Sequence, residues 1–344
     1  MSNLSLEKGC AILATDKATR YYFSQVELDE GLMLIGEKKV YFTDARYFHM
    51  VKDKLVKNGI TPVLFTDISC VEKEINRLSI SMLGLDYSKV TLREYEKFRL
   101  LSARLFDASS AISGVRQVKT EREIELISRA CKITEKAYKK AVKSLKEGVS
   151  ELEIKSVIVE EYKRLGSDGE SFDTIVAFGK NSAIPHHKTG KTKLKKNQPV
   201  LIDMGCVYKG YCSDLTRTLF FGTPSEKFKN AYNAVLLAHE KAVKNIKSGF
   251  SLKEADEIAR LELKKYSLDK NFTHSLGHGV GVEIHEAPTL SPKSTGVLRE
   301  GMVFTIEPGV YFNNKFGIRI EDTVRISNDL VKSFYTLDKN LKIL

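Results

Sequence analysis

Four short stretches in the second half of the chain place acids and histidines at the ends of apolar runs, or inside them, and bound those runs with glycine or proline. They are VLIDMGCVYKGYCSDLTRTLFF (200–221), FTHSLGHGVGVEIHEAP (272–288), MVFTIEPGVY (302–311) and FGIRIEDTVRI (316–326). A carboxylate inside apolar strand sequence is expensive to bury unless it is paired or coordinated. Any fold this chain adopts must therefore deal with these acids together or leave them in water. In the first stretch, Val200–Ile202 and Leu215–Phe221 read as strands around a glycine-containing turn, which predicts a hairpin that brings Asp203 and Asp214 near each other. Two adjacent carboxylates repel unless a cation or a shared proton sits between them.

The second stretch holds His274, His278 and His285, three of the seven histidines within 12 residues. Glycines at 277, 279 and 281 argue against a helix there and let the backbone approach a ligand closely. Glu307 ends an apolar strand and is turned by Pro308-Gly309; an edge strand with its acid in water is the competing reading. In the fourth stretch a single alternating strand would put Arg319 and Glu321 on one face, with Arg319 orienting Glu321. Taken together, two Asp, two Glu and one His make a hard-oxygen set with one imidazole. That set suits Mn²⁺ or a similar divalent ion, and it is about what two bridged metals need. Cys206 and Cys212 suit softer zinc sites and read as ordinary small residues.

The 344 residues suggest about two domains. The first 110 residues alternate strand-like and helical segments, as in an α/β sandwich. GCAILAT, GLMLIGEKKVYFTD, VLFTD and SMLGLDY read as strands, and RYFHMVKDKLVKNG and YSKVTLREYEKFRLLSARL as helices. Polar SGVRQVKTERE (113–123) reads as the connector, followed by a helix from Glu121 to about Lys146 and a second one capped by Ser150 and Glu153. Two further helices are expected near 225–247 and 251–266. The net charge of +11 is interleaved with acidic residues, so nucleic acid is not an expected partner, and the basic run 188–198 reads as an exposed loop. No apolar run approaches the length of a membrane span. The N-terminal segment shows no leader pattern, and five scattered cysteines fit a reduced compartment, so a cytoplasmic location is expected.

These stretches resemble the pita-bread metallopeptidases, the group of Xaa-Pro aminopeptidases, Xaa-Pro dipeptidases (prolidases), methionine aminopeptidases and creatinase. The group's ordered ligand pattern Asp, Asp, His, Glu, Glu falls on Asp203, Asp214, His278, Glu307 and Glu321, at intervals of 11, 64, 29 and 14. The resemblance implies an α/β N-terminal domain of creatinase type over 1–115 and an α+β pita-bread catalytic domain over 116–344. It implies two divalent metal ions, Mn²⁺ first, with Co²⁺ or Zn²⁺ as alternatives. Asp214 and Glu321 would chelate one ion, Asp203 and Glu321 bridge, and His278 with Glu307 complete the other side. The ions would activate a bridging water, and Glu307 would shuttle its proton. SAIPHH places His186, with His187 beside it, at a substrate-contacting position. His285 matches the histidine that steadies the tetrahedral intermediate, and His274 the remaining active-site histidine.

Methionine aminopeptidases lack the first domain, and creatinase does not keep all five ligands. Prolidases carry an arginine in HExPR, where this chain has Thr289. That absence tilts the expectation toward an Xaa-Pro aminopeptidase acting on longer peptides. A prolidase, or a silent binding protein of the same fold, is the alternative. The resemblance also implies a homodimer.

Overall fold

The structure is a computed structural model that describes Leu4 and residues 6–344; residues 1–3 and Ser5, part of the segment read as lacking a leader, lie outside the described residues. The chain divides into two compact units, Met1–Arg116 and Gln117–Leu344.

The first unit is built on one six-stranded sheet. Its strands are β1 (Cys10–Ala14), β2 (Leu32–Ile35), β3 (Lys39–Thr43), β4 (Ile60–Leu64), β5 (Met82–Leu85) and β6 (Arg104–Asp107), in the order β4-β3-β2-β1-β5-β6. Helices α1 (Lys17–Ser24), α2 (Ala45–Lys57), α3 (Ser69–Arg77), α4 (Leu92–Phe98) and α5 (Ser109–Gln117) alternate with them. The core joins sheet residues Leu34, Phe42, Leu83 and Leu85 to Val71 and Ile75 of α3. One local expectation needs correction. The helix expected through YSKVTLREYEKFRLLSARL stops at Phe98, because Arg104–Asp107 pairs in parallel with β5 instead. The division between the units falls inside the polar connector, and α5 runs through its first part to Gln117.

The second unit opens with α6 (Glu121–Ser144) and α7 (Glu151–Arg164), each begun by a capping box: Thr120 with Glu123, and Ser150 with Glu153. Short β7 (Gly169–Glu170) and β8 (Ile175–Phe178) precede the predicted hairpin. The hairpin forms between β9 (Gln198–Met204) and a strand at Leu215–Phe221, with Thr216 opposite Asp203. Between its arms lie β10 (Cys206–Tyr208) and β11 (Tyr211–Cys212), so the returning arm is β12. Helices α8 (Glu226–Asn245) and α9 (Leu252–Lys265) bury alanine-rich faces, with Ala234, Ala238 and Ala259 packed in one core with Phe304, Ile306 and Val324.

The remaining strands are β13 (Gly277–Gly279), β14 (Glu286–Leu290), β15 (Val303–Ile306), β16 (Gly309–Phe312), β17 (Phe316–Arg319), β18 (Asp322–Ser327) and β19 (Leu330–Ser333). Five of them form a sheet ordered β14-β13-β15-β18-β19, while β16 and β17 pair separately. FGIRIEDTVRI is therefore not one alternating strand. It passes from β17 to β18, in different sheets, and Ile320-Glu321 is the crossover. The basic segment 188–198 is a loop as expected, but not a free one. Leu194 is buried, and the Thr189 hydroxyl donates to the Thr174 carbonyl while accepting from the Val176 amide.

β13 lies so close to its neighbour that a Cβ on Gly277 would sit 1.8 Å from the Thr305 carbonyl oxygen. Backbone cannot yield there as a side-chain tip can, so Gly277→Ala is expected to cost about 1–3 kcal/mol or more. A fall in the urea midpoint checks this; a variant as stable as the parent contradicts the packing.

Candidate metal centre

The loops and strand ends of the second unit enclose a cavity of about 580 Å³. Asp203, Asp214, His278, Glu307 and Glu321 all line it, and so do His186, His274 and His285. Each acid reaches it for a local reason. Asp203 comes from the end of β9, and Asp214 from the residue before β12. Glu307 follows β15 at the Pro308 turn, and Glu321 sits at the crossover between β17 and β18.

Ligand atoms of Asp214, His278 and Glu321 lie within 4.8 Å of one another. His278 Nε2 is 3.5 Å from Asp214 Oδ2 and 3.4 Å from Glu307 Oε1. Its Nδ1 lies 3.2 Å from the Gly279 carbonyl. A proton on Nδ1 donated there leaves the Nε2 lone pair facing the acids. The Thr305 hydroxyl accepts from the His278 amide and donates to Glu307 Oε1 at 3.1 Å. The Thr216 hydroxyl donates to Glu321 Oε2 at 2.5 Å.

Arg319 differs from the sequence expectation. Its guanidinium donates to Asp203 Oδ2 at 2.5 Å, to the Thr216 hydroxyl and to the Tyr311 hydroxyl, and it reaches Glu321 only through Thr216. The break between β17 and β18 turns it toward β9. With its hydroxyl accepting from Arg319, Tyr311 donates to His274 Nε2 at 3.0 Å, and His274 Nδ1 then donates to the Ser275 carbonyl. Tyr311, Thr216 and Thr305 escaped the sequence reading. Of the three, only Thr216 carries a signal, because the hairpin register places it opposite Asp203.

The electrostatics explain what this arrangement can hold. Burial, reinforced by the charges of the neighbouring acids, raises the Asp214 and Glu321 carboxyls well above the ordinary range. Burial pushes Glu307 up to about 8 against the opposing charge of Arg319. Burial lowers His274 to about 3 and His278 to about 4, so both rings are neutral and able to ligate or accept. Asp203 Oδ1 is buried with no hydrogen-bond partner. One arginine cannot balance four carboxylates, and an orphaned carboxylate oxygen beside raised acids is what divalent cations satisfy. The residues present fit such ions.

The other histidines divide. His285 is exposed and meets the His278 ring edge-on, with centroids 4.2 Å apart. His186 stands in the cavity wall, but His187 Nε2 lies 3.0 Å from Glu151 Oε2. That Glu151 carboxylate is fully buried and also accepts from the Phe178 and Gly190 amides and the Asn181 side chain. Thr289 also lines the cavity, directly across the ladder from His278.

Residues 125–328 match the profile of metallopeptidase family M24, and residues 7–118 that of the creatinase/prolidase N-terminal domain. The chain is 37% identical over 329 residues to an Xaa-Pro dipeptidase of Pyrococcus furiosus, covering 93% of this chain and 92% of that protein. Among solved structures, it resembles an Xaa-Pro dipeptidase from Bacillus anthracis with a TM-score of 0.92 and 34% identity, covering 97% of this chain and 95% of that one. It also resembles an X-Pro aminopeptidase from Thermotoga maritima with a TM-score of 0.89 and 33% identity, covering 97% of both chains.

Raised carboxyls make stability depend on metal and pH together. Between the ordinary carboxylate range and about pH 8, Glu307 holds a proton in the folded chain that the unfolded chain has lost, so rising pH costs stability. The lowered histidines act in the opposite direction, but near and above pH 7 they are largely neutral in both states. Metal-free protein is therefore expected to melt lower at about pH 8.5 than at about pH 7, and saturating Mn²⁺ should shrink the difference. Unchanged or rising stability over that window in chelated protein contradicts the crowded-carboxylate picture.

Proposed function

The chain belongs to metallopeptidase family M24, and on that premise we propose that it is an Xaa-Pro dipeptidase that uses two divalent ions, Mn²⁺ first among them. The observation that carries the metal reading is the convergence of four carboxylates and one neutral imidazole on a single cavity. Because Asp214 gathers with both His278 and Glu321, we assign the shared place to Asp214 and Glu321 and the outer place to Asp203. This reverses the roles expected for the two aspartates. Bound ions would supply Lewis-acid polarisation of the peptide carbonyl and a nucleophilic water at neutral pH.

The protein's own groups do the rest. Glu307, whose Oε1 lies 3.4 Å from His278 Nε2 at the cavity, takes and returns a proton. Its Oε1 is steadied by the Thr305 hydroxyl. His186 and His285, both in the cavity wall, donate to the oxygen that gains charge as the carbonyl is attacked. Arg319 holds Asp203 in place and is itself held by Tyr311. Proline offers no N–H and a fixed ring, and Phe172, Ile175 and Pro185 supply an apolar wall for it.

The dipeptidase reading draws on the relatives' named activity, and it reverses the weight that the sequence placed on an aminopeptidase. A dipeptide presents a free carboxylate beside the proline. Thr289 has no charge to set against it, but Lys188 lines the same cavity and makes no ion pair among the described residues. The aminopeptidase reading stays second, favoured by Thr289. The five free cysteines support a reduced, cytoplasmic setting, and no helix among the described residues is long and apolar enough to cross a membrane. A homodimer is proposed on family grounds.

The test is Mn²⁺-loaded protein on an Xaa-Pro dipeptide and an Xaa-Pro-Xaa tripeptide, with and without chelator. Chelator-sensitive dipeptide cleavage is expected, with a KM raised about ten-fold or more by Lys188→Met, as loss of a charged contact implies. Cleavage of the tripeptide alone would install the aminopeptidase, and cleavage of neither would favour a silent binding protein.

A further inference from the structure

The ring of His285 makes no hydrogen bond to the described residues. Its place is set by the turn that carries it, residues 280–285, which has no regular structure and leads into β14. That turn is closed from beneath by the next side chain. The Glu286 carboxylate folds back under it, and Oε2 accepts from the Glu283 amide at 3.4 Å. A Cβ on Gly281 would lie 2.4–2.8 Å from this carboxylate, so the glycine makes the room it occupies. The Gly281 amide donates to the Glu283 carbonyl, and the Gly281 carbonyl accepts from the Cys212 amide.

Lys119 meets the carboxylate from 167 residues away in sequence, with Nζ 2.9 Å from Oε1. The two side chains are 1% and 6% exposed, so this is a buried ion pair rather than a surface one. Lys119 is itself fixed to the sheet: its amide donates to the Gly301 carbonyl, and Val118 bridges to Met302, the residue before β15. The far end of this pair is anchored to the strand that leads to Glu307, and the near end lies under His285.

We infer that the Lys119–Glu286 ion pair is a strut that positions His285 over the cavity, with Lys119 and Glu286 as positioning residues outside the metal centre. The inference rests on the reading above in which His285 faces the reacting carbonyl. A buried pair is a poor source of net stability, because desolvation offsets its attraction. Its best-attested use is to fix one arrangement over others, which an exposed and unbonded histidine requires.

The test uses full-length protein as Lys119→Met, Lys119→Arg, Glu286→Gln and the double variant Lys119→Met/Glu286→Gln. Lys119→Met leaves a buried carboxylate uncompensated and can fail to fold; the double variant removes both charges and carries the test in that case. The double variant is expected to bind the parent's quota of Mn²⁺. Its kcat should fall about 10- to 100-fold, as misplacement of a catalytic group does, while KM stays within about two-fold. Lys119→Arg should recover most of the loss. Amide exchange at Gly281 and Glu283, followed in metal-free and loaded protein, should speed up in the double variant. A folded, metal-replete double variant with the parent's kcat and unchanged exchange overturns the strut, and so does a kcat loss that tracks metal loss. If His285→Ala keeps full turnover, the role of His285 falls, and the exchange rates alone then decide the strut.

Discussion

Four carboxylates converge on one largely buried cavity, and much of the second unit is arranged to make that tolerable. Burial, reinforced by the neighbouring like charges, drives the Asp214 and Glu321 carboxyls upward. Among the described residues the buried guanidinium that reaches them is that of Arg319, and it is committed to Asp203. Hydroxyls of Thr216 and Thr305 supply one hydrogen bond each to Glu321 and Glu307. His274 and His278 add no positive charge, because burial keeps both neutral. The balance is left to cations from outside, so the site's affinity for metal and the stability of the empty fold are linked through the same protons.

The scaffold meets this demand with rigid strand ends. Asp203 and Thr216 face each other in the β9–β12 ladder, and His278 faces Thr289 across β13 and β14. Each ligand lies within a residue or two of a strand, where backbone hydrogen bonds fix it on both sides. Second contacts then hold the ligands, as in the run from His274 through Tyr311 and Arg319 to Asp203. The cavity-wall residues proposed to meet substrate are placed differently. His186, Lys188 and Thr289 project from loops or exposed strand positions.

Much of this was legible in the sequence because it is local or periodic. The hairpin register follows from alternation and a glycine turn, and the capping boxes at Thr120 and Ser150 announce their helices. Apolar runs ending in acids point to the ligand set. What was not legible depends on contacts far apart in the chain. FGIRIEDTVRI alternates as one strand would, yet tertiary packing divides it between two sheets, and that division gives Arg319 to Asp203 rather than to Glu321. Tyr311 sits in ordinary strand sequence, and nothing local marks its hydroxyl as the link between His274 and Arg319. Thr289 marks a missing arginine, but the lysine that lines the same cavity lies about a hundred residues earlier, in a run that reads only as basic loop.

The central claim is that these five side chains form a two-ion centre with Asp214 and Glu321 shared. Anomalous diffraction at the manganese edge, from crystals grown with Mn²⁺, tests it most directly. Two peaks are expected, one beside Asp203, the other beside His278 and Glu307, with Asp214 and Glu321 touching both. A single ion held through Asp203 in the shared place, or no anomalous density among these residues in Mn²⁺-saturated crystals, would contradict it.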